Sequence, residues 1–190
     1  MSILTNHKRA RDRHVLERGF SLVELLIVVI VILVIAAIAI PNLLRSKMLA
    51  NESSAVSSIR QINTAEGTYS SSWGSGYAPV LANLGGPAPC MVATPLAACL
   101  IDPLLSTGGF VKSGYAYNAA GTLPDANGFL NGFEVNATPV QVQISGQRAF
   151  CSDASGVIKF VTPGAAPIGV GAGACAAIAT VPGTSGPVGN

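Results

Sequence analysis

Arg18-Gly19-Phe20-Ser21-Leu22-Val23-Glu24-Leu25-Leu26 opens a run that is apolar without a break over residues 25–40. Counted from Phe20, the run has 21 residues and is interrupted only by Ser21 and Glu24. At about 1.5 Å per residue, a helix of that length covers roughly 30 Å, the hydrocarbon thickness of a bilayer. Because the run is apolar on every side, it predicts a helix that meets lipid. Glu24 is the exception. An ionisable side chain inside such a segment is costly and usually functional.

Upstream of the run lies a basic leader. The first 19 residues hold Lys8, Arg9, Arg11, Arg13 and Arg18 against Asp12 and Glu17, a net of +3. The remaining residues carry six basic and seven acidic side chains, so the formal charge of +2 belongs to the leader. Basic residues just before an apolar span stay on the cytoplasmic side, which predicts an exported C-terminal part. After residue 76 the only cations are Lys112, Arg148 and Lys159. That leaves no clustered basic footprint for nucleic acid. Both histidines, His7 and His14, fall in the leader. A chain that loses its leader has no histidine for acid–base catalysis, for a Ser-His-Asp or Cys-His arrangement, or for metal ligation. No phosphate loop and no run of clustered carboxylates suggests another chemistry. We therefore expect no cofactor, no metal and no enzymatic activity.

Three readings of the N-terminus compete. A secretory signal peptide has an apolar core of about 7–15 residues and a small-residue cleavage site beyond it. Ala37 and Ala39 offer such a site, but this apolar run is longer. A plain signal anchor explains the length and orientation and leaves Glu24 without a role. The third reading accounts for Glu24. Residues 18–26 resemble the processing site of type IV prepilins. That resemblance implies that a prepilin peptidase cuts between Gly19 and Phe20 on the cytoplasmic side, then N-methylates the new amine of Phe20. Unlike signal-peptidase cleavage, this cut leaves the apolar helix on the mature chain. It also makes a cation four residues from Glu24, on one face of a helix. In the family this glutamate is thought to meet the N-terminal amine of a subunit in the growing filament, which fixes axial register. Pro41 removes a helical hydrogen bond and predicts a bend. The resemblance further implies that the stretch before Pro41 loosens in an assembled filament.

From Asn42 to about Ser72 the composition turns polar, with no glycine or proline before Gly67. Leu49, Val56, Ile59, Ile62 and Ala65, flanked by Met48, Ala55 and Tyr69, predict an amphipathic helix with one buried stripe. Gly74 and Gly76 should end it. Residues 77–190 are rich in Gly, Pro, Ala and Val. Strands are expected at 113–117 and at 132–135, the latter extended by 139–144. A hairpin is expected from 147–152 and 156–161, turning at Asp153-Ala154-Ser155-Gly156. A short helix is expected over 98–105, and disorder beyond Val181.

A long helix followed by an antiparallel meander is an α+β architecture. It is also the pilin fold. Ser113-Gly114-Tyr115 and residues 148–158 resemble strand motifs of small bacterial pilin-like proteins. The expected organisation is a leader (1–19), a transmembrane and assembly helix (20–41), an amphipathic spine (42–76) and a β-rich head (77–190). Cys90, Cys99, Cys151 and Cys175 form no C-x-x-C motif, and an even count in an exported domain reads as disulfides. Three pairings are open. The local one, Cys90 with Cys99 and Cys151 with Cys175, is favoured because each closes a short loop. The second of these would make a C-terminal disulfide-bounded loop of a kind common in pilins.

The implied function is that of a structural subunit of a type IV pilus-like filament. Its partners would be copies of itself, the prepilin peptidase, the pilus assembly platform and, before assembly, the bacterial inner membrane. Afterwards it would lie in an extracellular filament. Two alternatives stand beside it. One is a minor pilin or a type II secretion pseudopilin. The other is a membrane-anchored adhesion or binding domain that never polymerises.

Overall fold

The computed structural model describes residues 19–106, 109–164 and 168–189. Residues 1–18 of the expected leader, with both histidines, lie outside the described residues. The elements are α1 (Leu22–Trp73), α2 (Leu81–Leu84), α3 (Pro103–Ser106), β1 (Val111–Lys112), β2 (Tyr115–Pro124), β3 (Leu130–Pro139), β4 (Ala149–Asp153), β5 (Lys159–Val161) and β6 (Ser185–Pro187). The six strands form one antiparallel sheet in the order β1-β2-β3-β4-β5-β6. A long helix with a sheet of this kind is the expected α+β arrangement, consistent with a pilin fold. The chain divides into two compact units between Pro41 and Asn42.

In the first unit α1 is bare. From Leu22 to Ile40 every large apolar side chain is exposed, and the helix is long and apolar enough to cross a membrane. Helical assignment runs through Pro41. At its other end the helix stops at Trp73. Gly74 takes a left-handed φ of +62°, and its N–H donates to the Ser70 carbonyl at 3.1 Å. Glycine adopts that conformation without a Cβ penalty and so closes the helix.

In the second unit the buried face of α1 carries Glu52, Ala55, Ile59, Ile62, Glu66 and Tyr69, with Ser58 and Ala65 beside them. Steps of three and four keep these residues on one side. Against them pack Tyr115, Tyr117 and Ala119 of β2, Phe133, Val135 and Ala137 of β3, and Phe150 of β4. Leu81, Leu84 and Leu105 close the cluster. The stripe is shifted from its expected place. Leu49 is 62 % exposed, and Glu52 is buried in its stead. Glu52 can be buried because it is fully paired. Its Oε1 accepts the amides of Gln147 (2.8 Å) and Arg148 (3.2 Å). Its Oε2 takes the Arg148 guanidinium, at 2.8 Å from Nε and 2.7 Å from the terminal nitrogen. Glu66 is less well served. Its Oε2 accepts the Ala78 amide at 2.8 Å, and its Oε1 has no partner. Burial raises its pKa from 4.5 to about 7, with the Ala78 hydrogen bond pulling the other way.

The outer face of the sheet is covered too, which is why β3 is buried on both sides. Asn136 Nδ2 donates to the Ile168 carbonyl, the Cys175 amide donates to Glu134 at 3.2 Å, and Cys151 is bonded to Cys175. Cys90 is bonded to Cys99. The disulfides are those that close the shorter loops.

Three expectations need correction. Residues 182–189 are ordered. A turn at 181–185, with Gly183 at φ +74°, returns the chain to the open edge of β5. There β6 pairs Lys159 with Pro187 and Val161 with Ser185. The unpaired backbone groups of an edge strand supply the driving force. The strand at 132–135 does not extend through 139–144. β3 ends at Pro139, and a turn follows in which Gln143 has φ +66°. The short helix is limited to Pro103–Ser106. Upstream, the amides of Ala98, Cys99 and Leu100 donate to the carbonyls of Asn83, Gly85 and Leu84, so they are unavailable to a helix. By contrast, the turn at Asp153–Gly156 forms as expected, with Gly156 at φ +75° and its amide on the Asp153 carbonyl.

Two outcomes follow for stability. Glu52→Ala strands two backbone amides and a guanidinium, and should lower the unfolding free energy by about 2–4 kcal/mol in a denaturant titration. Glu66 holds its proton more tightly when folded than when unfolded. Its stabilising contribution is therefore complete below pH 4.5 and lost as pH rises through about 7. Glu66→Gln should remove that downward slope, read as the difference between variant and wild-type stability across this window.

Candidate processing and assembly site

Gly19 and Phe20 lie just ahead of α1, and Phe20 is 87 % exposed. A Cβ added at Gly19 would meet nothing within 4 Å. Nothing in the described structure requires glycine at that position. The requirement, if there is one, lies with whatever handles the peptide bond.

Ser21 is the residue that starts the helix. Its carbonyl accepts the Leu25 amide at 3.2 Å, the first helical bond. Its Oγ accepts the Val23 amide at 3.3 Å. Glu24 reaches back, and its Oε2 accepts the Ser21 amide at 3.0 Å. Ser21 and Glu24 thus form a reciprocal cap of the Ser-x-x-Glu type. The sequence carried this signal, with Ser21 and Glu24 three apart before an apolar run. The cap adds to the pairing with a Phe20 amine that the resemblance implies for Glu24.

The cap fixes where the carboxylate points. It is turned toward the N-terminal end of the helix, where unpaired amides and the helix dipole favour a negative charge. Its hydrogen-bond partner is the amide one residue beyond Phe20, whose own nitrogen would become an amine on cleavage. Gly19, Phe20 and Glu24 are therefore gathered within six residues. Pro41 stands apart, inside α1 and about 26 Å along a helical path from Glu24. The four cysteines belong to the second unit and take no part in this site.

Residues 16–40 match the family model described as the prokaryotic N-terminal methylation motif. The chain carries the class III signal of type IV pilins. The methylation motif spans the candidate cleavage bond, Glu24 and the apolar run, and it stops one residue short of Pro41. No curated protein and no solved structure gives a significant match to this chain. The methylation motif, the apolar helix and the two disulfides form a consistent set. The motif supports a precursor of the pilin or pseudopilin type, and such a motif in general implies processing by a prepilin peptidase and assembly into filaments.

Proposed function

We propose that this protein is a structural subunit of a type IV pilus-like filament. The observation that carries the reading is the N-terminal methylation motif, which includes a bare apolar helix whose one carboxylate is turned toward the future N-terminus. An apolar helix with every large side chain exposed must be covered by lipid or by other helices. Before assembly, the bacterial inner membrane covers it. After assembly, the same helix in neighbouring copies does.

The steps follow from the chemistry of the site. Prepilin peptidase cuts between Gly19 and Phe20 on the cytoplasmic side, discarding residues 1–19 and making an amine on Phe20. Methylation keeps that amine basic while adding one apolar group. Glu24 then pairs with a Phe20 amine, its carboxylate already directed to that end by the Ser21 cap. In a helix bundle, pairing with the amine of an adjacent copy sets the axial position of each subunit. The apolar contacts alone would tolerate sliding, since any apolar face fits another. Pro41 marks the end of the assembly helix, residues 42–76 form the spine, and residues 77–190 form the exported head, closed by disulfides formed outside the cytoplasm. The assembly platform supplies the machinery for polymerisation. The subunit's role is structural and not catalytic.

Two experiments test this reading. Mass spectrometry of the mature chain should find an N-terminus at N-methylated Phe20; any other N-terminus argues against the processing route. Glu24→Ala should yield a folded, membrane-inserted protein that no longer assembles, scored by electron microscopy of sheared filaments. Unchanged filaments would show that register does not depend on this carboxylate.

A further inference from the structure

The second unit settles most of its charges internally. Glu52 holds Arg148, Asp102 holds Lys112 at 3.4 Å, and Lys159 donates to the carbonyls of Ala176 and Ile178. Glu66 and Glu134 are buried, and Asp153 is half-buried with Oδ1 taken by Ser155. Among the described residues of this unit, Asp125 is the one anion left fully exposed, and Arg45, Lys47 and Arg60 are the exposed cations. Arg45 has no ion-pair partner among the described residues.

Asp125 and Arg45 stand at opposite ends of the unit. Asp125 sits at the tip of the β2–β3 hairpin, and that end of the sheet meets the chain just past Trp73, where the Tyr77 amide donates to the Leu130 carbonyl at 2.9 Å. Arg45 lies at the other end, below the level where Asn51 and Glu52 hold Ser145, Gln147 and Arg148. From Arg45 to Trp73 the helix rises roughly 40 Å, so the two charges do not meet within one copy.

The two ends also match in form. Arg45 borders a groove of about 620 Å³ lined by Met48, Leu49, Arg148, Phe160 and Thr162. Glu52 cancels the charge of Arg148 there, so Arg45 makes the groove positive. The hairpin tip is a firm projection. Asp125 Oδ1 accepts the amides of Asn127 (2.8 Å) and Phe129 (2.9 Å), the Asp125 amide donates to the Phe129 carbonyl, and Gly128 turns the chain at φ +85°. Asp125 Oδ2 takes no donor among the described residues, and exposed Leu123 and Phe129 flank it.

We propose that the groove at Arg45 receives the β2–β3 hairpin tip of a second copy, with Asp125 on Arg45 and Phe129 against Met48, Leu49 and Phe160. The proposal rests on the filament reading and adds a head contact to it. Two different patches at opposite ends of one unit make a heterologous interface, which repeats into an open filament when the rotation does not close. The groove continues the assembly helix, since Arg45 is four residues past Pro41 on α1. Pairing of Glu24 with a neighbour's Phe20 amine needs an axial offset of only about 6 Å, one helical turn. The groove contact needs roughly 40 Å, so the two contacts join each copy to different neighbours. Both patches are preformed, which limits the ordering cost of the contact.

Zero-length carbodiimide cross-linking of filaments sheared from cells tests the contact. Arg45→Lys keeps the charge and supplies an amine that can be joined to a carboxylate. Its filaments should yield an amide between residues 45 and 125, found by mass spectrometry of digested filaments and lost when Asp125→Asn is added. The span within one copy is far too long for that bond, so it reports a contact between copies. Asp125→Asn keeps an oxygen for the turn and removes only the charge. Alone it should lower filament yield several-fold, and Arg45→Glu, which places like charges together, should lower it by about tenfold or more. Arg45→Lys filaments without the 45–125 link, or with residue 45 joined to Asp153 instead, would overturn the contact and leave the filament reading standing. Wild-type yield from both Asp125→Asn and Arg45→Glu would do the same. Phospholipid retained by wild-type filaments and lost from Arg45→Glu, with no 45–125 link, would give the groove to a lipid headgroup. A wild-type chain that forms no filaments would overturn both readings.

Discussion

Glu52 is where helix and sheet are tied together. Its carboxylate sits on the buried face of α1 and takes donors from the backbone at Gln147 and from both backbone and side chain of Arg148. From Arg148 the connection spreads. The guanidinium lies 5.5 Å from the ring centre of Phe150 and 5.4 Å from that of Phe160, which links β4 and β5. The Arg148 carbonyl accepts the Tyr115 hydroxyl at 2.8 Å, which links β2. A buried ion pair adds little net stability over a well-packed apolar alternative, but breaking one is costly. Its value here is positional. An apolar stripe alone could rotate or slide against an apolar sheet, and a charge with fixed partners cannot.

The same device recurs. Glu66 holds the Ala78 amide just past the end of α1, and Glu134 holds the Cys175 amide on the far face of the sheet. Each of the three carboxylates fastens a loop by accepting a backbone N–H that would otherwise be buried unpaired. The three differ in how completely they are satisfied. Glu52 has partners for both oxygens, and Glu66 and Glu134 each keep one oxygen without. At both Glu66 and Glu134 burial raises the pKa.

The elements most legible in the sequence were those set by local rules. The change from an unbroken apolar run to a polar, glycine-poor stretch gave the two halves of α1. Gly74 gave its end, and Asp153-Ala154-Ser155-Gly156 gave a turn. The shorter disulfide loops were favoured on closure alone. What escaped depends on partners remote in sequence. Glu52 reads as a solvent-facing charge until Arg148, 96 residues away, is brought beneath it. The stripe was therefore drawn through Leu49, which the fold leaves exposed. The tail escaped because its small, low-complexity residues carry no strand pattern, and its order comes from the open edge of β5. At the candidate processing site the Ser21–Glu24 cap was legible in the sequence, as a serine and a glutamate three apart before an apolar run.

One helix thus serves two environments. Its first part must be apolar on every side, and its second part must present a single face that includes charges. Glu24 and Glu52 are the paired exceptions, each a carboxylate made tolerable by donors at a fixed place. In the proposed filament, the first sets the position of one copy against the next, while the second sets the helix against its own sheet. Cryo-electron microscopy of filaments sheared from cells expressing the full-length chain tests this account most directly. The account predicts apolar helices bundled together, each Glu24 within hydrogen-bond reach of a Phe20 amine of an adjacent copy, and Glu52 still bound to Arg148. Filaments in which the apolar helices do not touch, or in which Glu24 faces no amine, would contradict it.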